Sequence, residues 1–232
     1  MRPLLPAIAL MMVIAIVPST AHGASIGLMD TFQSGTTEGW FAGGLGFGAV
    51  PPVPPHVVAT GGPSGAGDQF LQITANGNAG PGSKLVAING TQWAGNYLAA
   101  GITTIEMDLK NLGATDLTLR LLFEDPLGGP PADEAVTTFG AFLPSGSDWT
   151  HFAFPISVAD LTAIVGNIGA VLGNTTLLRI IDSPTPADAV AIEGILGVDN
   201  IAATAVPEPA TMLCTATGLV ALATRYRRRR AS

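Results

Sequence analysis

Ile105-Glu106-Met107-Asp108-Leu109-Lys110, a break at Asn111-Leu112-Gly113-Ala114-Thr115-Asp116, and then Leu117-Thr118-Leu119-Arg120-Leu121-Leu122-Phe123-Glu124 is the stretch that decides the fold. Apolar and polar residues alternate with a period of two on both sides of the break. Successive side chains of a strand point to opposite faces, so this is the pattern of two half-buried strands. The break, with its Asn, Gly and Asp, reads as the turn of an antiparallel hairpin. Leu122 interrupts the polar side of the second strand and requires a cover.

Working outward, the segments Gln69 to Ala75, Ser83 to Ile88, Ala135 to Leu143, Asp148 to Phe154, Leu177 to Ile181 and Gly194 to Ile201 have the same character. A further short strand at His56 to Thr60 lies inside a Gly- and Pro-rich region from Gly39 to Gly67. One interior stretch invites a helix: Ser157-Val158-Ala159-Asp160, a capping-box-like start, followed by Leu161 to Val165. Many short strands and one helical turn are expected to pack as two antiparallel sheets around a common core.

The two ends differ in kind from this body. Arg2 is followed by an apolar run from Leu4 to Val17 and then Pro18-Ser19-Thr20-Ala21-His22-Gly23. A charged start, an apolar helix and small exit residues form a secretory signal, with cleavage expected before Ala24. At the other end, Val206-Pro207-Glu208-Pro209 precedes an uncharged run to Thr224 and the arginines Arg225, Arg227, Arg228, Arg229 and Arg230. The prolines hold their segment extended. The run is about 15 residues, or ~22 Å as helix against roughly 30 Å of hydrocarbon core. The arginines would stay on the cytoplasmic side.

With both ends removed, the body spans one domain, residues 24–204. Residues 24–205 hold four basic side chains against sixteen acidic ones, a net charge of −12 where the whole chain has −7. Such a surface repels phosphate, which excludes nucleic acid as a partner. The one cysteine, Cys214, lies in the apolar tail, so the body has neither a disulfide nor a thiolate metal cluster.

The order Pro-Glu-Pro, apolar run, basic stop resembles the PEP-CTERM sorting signal of exported bacterial proteins. The resemblance implies that residues 205–232 are a sorting signal with a short transmembrane helix. It implies an exosortase, a membrane cysteine protease of transpeptidase type, as partner, acting near Val206-Pro207-Glu208-Pro209. Signal peptidase and the general secretion machinery would act on residues 1–23. The protein would be at the inner membrane during sorting, and in the cell envelope or extracellular matrix afterwards.

The body resembles galactose-binding-like jelly rolls, a fold shared by many carbohydrate-binding modules. The likeness is carried by Asp30-Thr31-Phe32-Gln33 with Gly39-Trp40, by Gly67-Asp68-Gln69-Phe70-Leu71, by Asp148-Trp149, and by Gly197-Val198-Asp199-Asn200-Ile201. It implies an all-β, antiparallel two-sheet jelly-roll sandwich between the signal helix and the C-terminal hydrophobic helix. It also implies a structural calcium ion held by Asp30, Asp68 and Asp199, although Gln33 stands where relatives often have an acid. For a carbohydrate, Trp93, Asn96 and Tyr97 form the local candidate, two rings and an amide in a turn-rich stretch. Trp40 and Trp149 read as core anchors at strand starts. Glu124, Asp125, Asp133 and Glu134 form an acidic hairpin loop; two separated carboxylates could serve glycoside hydrolysis as acid and base, but loops of this composition are far more often solvated. These features point to an exported, non-enzymatic surface or matrix protein with a polysaccharide-binding or structural sandwich. The alternatives are a secreted glycan-acting enzyme and a ligand-free structural protein.

Overall fold

The computed structural model describes residues 23–42, 53–77, 84–125 and 130–205. The signal segment to His22, the sorting residues Val206 to Pro209, the apolar run and the arginines lie outside the described residues. Along the chain the elements are β1 (Met29–Asp30), β2 (His56–Val58), β3 (Phe70–Asn76), β4 (Val86–Asn89), α1 (Tyr97–Ala100), β5 (Thr104–Asn111) and β6 (Leu117–Asp125). They continue with β7 (Asp133–Thr137), β8 (Ala141–Leu143), β9 (Thr150–Pro155), β10 (Leu161–Val165), α2 (Ile168–Gly173), β11 (Leu177–Asp182) and β12 (Glu193–Thr204).

Two antiparallel sheets face each other. The first has the order β2-β3-β12-β5-β9, with β1 also on β12; the second has β10-β7-β6-β11-β4, with β8 also on β6. The alternation seen in the sequence supplies the core. Ile105, Met107 and Leu109 of β5 point inward from one sheet, and Leu117, Leu119, Leu121 and Phe123 of β6 from the other, all fully buried.

That placement corrects the expected hairpin. β5 and β6 belong to different sheets, so residues 112–116 arch from one layer to the other. Asn111 holds the arch. Its amide donates to the carbonyls of Thr115 (2.8 Å) and Leu143 (3.1 Å), and its Oδ1 accepts from the Gly113 N–H (3.0 Å). Period-two alternation marks which face of each strand is buried, but it does not say whether neighbours share a sheet.

The helix expected after Ser157 is also corrected. Ser157 does meet Asp160, its N–H donating to Oδ2 at 3.1 Å. The contact closes a turn, and Leu161 to Val165 then runs as β10 against β7, with Leu161 opposite Thr137. Thr162, Ile164 and Val165 are β-branched, which favours a strand. The segment from Ala135 to Leu143 divides into β7 and β8. The two helices lie elsewhere, each with an Asn cap, Asn96 for α1 and Asn167 for α2.

β12 runs through the middle of the first sheet and carries a bulge between Asp199 and Ala202, where Asn200 has φ of 52°. Before the bulge Leu196 and Val198 face the core; after it Ile201 and Ala203 do. One extra residue shifts the parity, and without it Asn200 would enter the core.

Candidate functional site

Asp30 leaves β1 with its carboxylate buried under three donors. Oδ2 accepts from the indole N–H of Trp40 and from that of Trp93, both at 2.7 Å. The Gln92 amide lies 3.3 Å from each oxygen. Burial pushes the carboxyl above its ordinary value, and the Trp93, Trp40 and Gln92 bonds oppose that rise. Trp93 and Tyr97 are both fully buried. The Tyr97 hydroxyl donates to the Trp93 carbonyl at 2.7 Å, and its ring meets Phe123 edge-on at 5.3 Å. Asn96 is spent on its cap, accepting from the Ala99 N–H. The stretch from Trp93 to Tyr97 is therefore a plug in the core. A sugar platform needs a ring face open to solvent, and neither ring has one.

The three aspartates expected around calcium are used in other ways. Besides Asp30, Asp68 accepts from the Gln33 amide on Oδ1 and from the Ser64 N–H on Oδ2, both at 2.7 Å. Gln33 thus supplies a donor where a further carboxylate ligand is expected. Asp199 accepts the Asn200 N–H on Oδ1 at 2.8 Å, while its Oδ2 is buried with no partner. Among the described residues no group of three His, Cys, Asp or Glu side chains is arranged to hold a metal ion. Calcium takes six to eight oxygens, and the residues present do not fit it.

A different arrangement covers the outward side of the first sheet. The register aligns His56 with Gln72, Gln72 with Gly197 and Gly197 with Lys110, one row across four strands. Trp149, just before β9, lays its indole across this row. A methyl group on Gly197 would lie 3.0 Å from Trp149 Cη2 and 3.3 Å from two ring carbons of Phe70. The two rings meet edge-to-face at 5.2 Å, and the indole N–H donates to the Gly61 carbonyl at 2.9 Å. Of the three tryptophans, only Trp149 keeps part of its surface in solvent. Lys110 pairs with Asp148 at 2.9 Å on the same side.

The next row is acidic. Asp199 stands opposite Asp108, and Asp108 opposite His151. Asp108 accepts from the Asn200 amide at 2.7 Å and contacts His151 Nδ1 at 2.9 Å. Burial pushes the Asp199 carboxyl up to about 7; the Asn200 N–H opposes the rise, and the charges of Asp68, Asp108 and Glu38 add to it. The expectation had Trp149 in the core and Trp93 at the surface; the structure buries Trp93 and leaves Trp149 partly exposed. The signal for that exchange was Gly197: a glycine at an outward strand position leaves room for a ring to lie over it.

The outward side of the second sheet is closed. Leu122 is covered, together with Val136 and Ile181, by Ala189 from the loop after β11. Arg120 fastens that loop, donating to the carbonyls of Ser183 (2.9 Å), Pro184 (3.3 Å), Thr137 (2.8 Å) and Thr138 (2.6 Å). Glu124 faces Glu134 across β6 and β7, is buried, and forms an ion pair with Arg179. Burial raises both glutamates, with Asp188 adding to each rise and Arg179 opposing it. Asp125 accepts from the Asn174 amide and Asp133 from the Asn167 N–H. Three of the four acids of this loop are thereby engaged within the protein.

The chain matches the family model of the PEP-CTERM protein-sorting motif over residues 205–229. No curated protein matches it by sequence. Among solved structures, an exo-β-agarase aligns with a TM-score of 0.52 at 12% identity, covering 79% of this chain and 26% of the agarase. A family 11 carbohydrate-binding module from Clostridium thermocellum, in complex with a β-1,3-1,4-mixed-linked tetrasaccharide, aligns at 0.49 with 13% identity, covering 80% of this chain and 99% of the module. A family 30 module of a cellulosomal cellulase from the same organism gives 0.43 at 18% identity, over 72% and 91% of the two chains. At such identities the likeness is one of fold. Among the described residues no helix is long and apolar enough to cross a membrane. The chain is an exported protein that carries a PEP-CTERM protein-sorting motif behind an antiparallel two-sheet jelly-roll β-sandwich.

Proposed function

We propose that this is a non-catalytic surface or matrix protein that an exosortase processes at Val206-Pro207-Glu208-Pro209, and that its sandwich holds extracellular polysaccharide on the outward side of the first sheet. The observation that carries the binding reading is the partly exposed Trp149 on its Gly197 floor, with Gln72 and His56 to one side and Lys110 to the other. Pyranose rings offer apolar C–H faces to an indole and hydroxyls to nearby amides and charged groups. Glu124 is buried in its ion pair with Arg179, and Asp125 and Asp133 already accept hydrogen bonds from Asn174 and Asn167, which supports a binding role over a hydrolytic one.

Affinity electrophoresis on the producer's own exopolysaccharide tests the reading. The secreted protein is retarded, and Trp149→Ala loses at least about tenfold in affinity, or ~1.4 kcal/mol. Equal mobility with and without polysaccharide favours the ligand-free structural alternative. Polysaccharide turnover that disappears in Glu124→Gln and Glu134→Gln favours the enzyme. The intact mass of the native secreted protein is expected to lack Arg225 to Arg230; a mass that includes them refutes processing.

A further inference from the structure

The ends of the sandwich meet at one pole. The Gly27 N–H donates to the Ala203 carbonyl at 2.9 Å, Met29 pairs with Ala202, and the Thr103 N–H donates to Thr204 O at 3.0 Å. The chain leaves this pole at Ala205, and the uncharged run of the tail begins at Ala210. Four residues lie between the two, five steps of the chain that span no more than about 17 Å when fully extended. A tail seated in a bilayer therefore keeps this pole next to the membrane surface. The leader joins the same pole, since the Ala24 N–H donates to the Ala94 carbonyl at 2.8 Å, beside α1.

The pole is built for that neighbour. Ile26, Met29 and Leu98 are 54%, 56% and 51% exposed. Met29 stands opposite Ala202, beside the exit; Leu98 lies on α1, whose end at Gly101 approaches Ile26, since a methyl group on Gly101 would lie 3.7 Å from Ile26 Cδ1. The segments that form the pole, residues 23–29, 89–103 and 202–205, contain no charged side chain, in a body of net charge −12. Anionic lipid repels carboxylates, so this stretch approaches a bilayer at less electrostatic cost than the acidic rest of the surface; Glu106, opposite Ala202 and accepting from the Thr204 hydroxyl, is an acid at its margin.

We infer that Ile26, Met29 and Leu98 form a membrane-resting pole, which seats the sandwich upright on the lipid surface while the tail is inserted. This rests on the reading of the tail as a membrane segment, and the experiment separates the two. The full chain is bound to phosphatidylethanolamine–phosphatidylglycerol vesicles with brominated acyl chains. Cys214, the only cysteine, carries an environment-sensitive fluorophore and reports the tail. In a Cys214→Ser background the same label is placed through Leu98→Cys at the pole, or through Leu112→Cys at the opposite end, where the Leu112 N–H meets the Ile195 carbonyl. The expected result is quenching at position 214, quenching at 98 at least twofold stronger than at 112, and loss of the signal at 98 when Ile26→Glu and Met29→Glu are added. Quenching at 214 with equal signals at 98 and 112 overturns the pole and leaves the tail reading intact. No quenching at 214 overturns both.

Discussion

The two outward sides of the sandwich start from similar sequence patterns and end differently. On the first sheet, Glu106, Asp108 and Lys110 of β5 stay at the surface, and Trp149, just before β9, lies on Gly197 of β12, opposite Lys110. On the second, Thr118, Arg120, Leu122 and Glu124 of β6 are overlaid by the loop after β11. One residue separates the cases. Leu122 breaks the polar alternation and is packed under Ala189, and the loop that carries Ala189 is held by Arg120, itself buried. A face becomes a potential binding surface where its alternation is clean, and a second small core where one position is apolar.

The sharpest way to break the comparison is to open the closed side. Arg120→Met removes four bonds to carbonyls and frees the loop that covers Leu122. We expect a loss of about 3 kcal/mol, since several buried acceptors lose their donor at once. Urea unfolding measures it, and a change below ~1 kcal/mol would show that the loop is held by Ala189 alone.

On the open side the largest effect belongs to Asp199. Its folded carboxyl is raised to about 7 from 3.8. A group raised on folding contributes its stability in full below the unfolded value, and that contribution is lost as pH rises through the folded one. The protein should thus be more stable at pH 5 than at pH 8. Asp199→Asn removes much of that slope and stabilises the domain at pH 8 by on the order of 2 kcal/mol, less than the full shift implies because a carboxylate at a bulge can relax. Thermal melts across pH 4 to 8 decide it; an unchanged slope in the variant would place the pH dependence in the other raised acids, Asp30, Glu38, Glu124, Glu134 and Asp182.

Much of this contrast could be read in advance. Alternation at Ile105 to Lys110 and at Leu117 to Glu124 located the buried faces, and Leu122 announced its cover. The sheet membership of those strands was hidden, because a hairpin and an arch need similar turn residues. What separates them is Asn111, which bonds both its own turn and Leu143, a partner far along the chain. The helix expected at Ser157 failed for a related reason: a Ser-to-Asp turn contact is local, whereas β10 is decided by its pairing with β7. For the site, the sequence showed which residues are aromatic or acidic but not which of them the core consumes. Trp93 and Asp30 are taken up by each other. Trp149 stays outside because Gly197, nearly fifty positions later, leaves it a seat on the surface.

The smallest effect tests whether the open side is a binding surface or only an unclosed one. Lys110 and Asp148 pair at the protein surface, beside the Trp149 indole. An exposed pair is worth little to folding, because solvent screens it and two long side chains must be ordered to form it. Lys110→Ala should therefore leave the urea midpoint unchanged. If a polysaccharide lies across the row from His56 to Lys110, the same substitution should weaken retention by about two- to threefold, a fraction of a kcal/mol. Removing a charged contact should also make the remaining retention less sensitive to salt. Unchanged retention, together with a loss in Trp149→Ala, would confine the ligand to the indole and to the Gln72 side of the row. A change in the midpoint would mean that Lys110 belongs to the fold, and the difference between the two sides would then be one of degree.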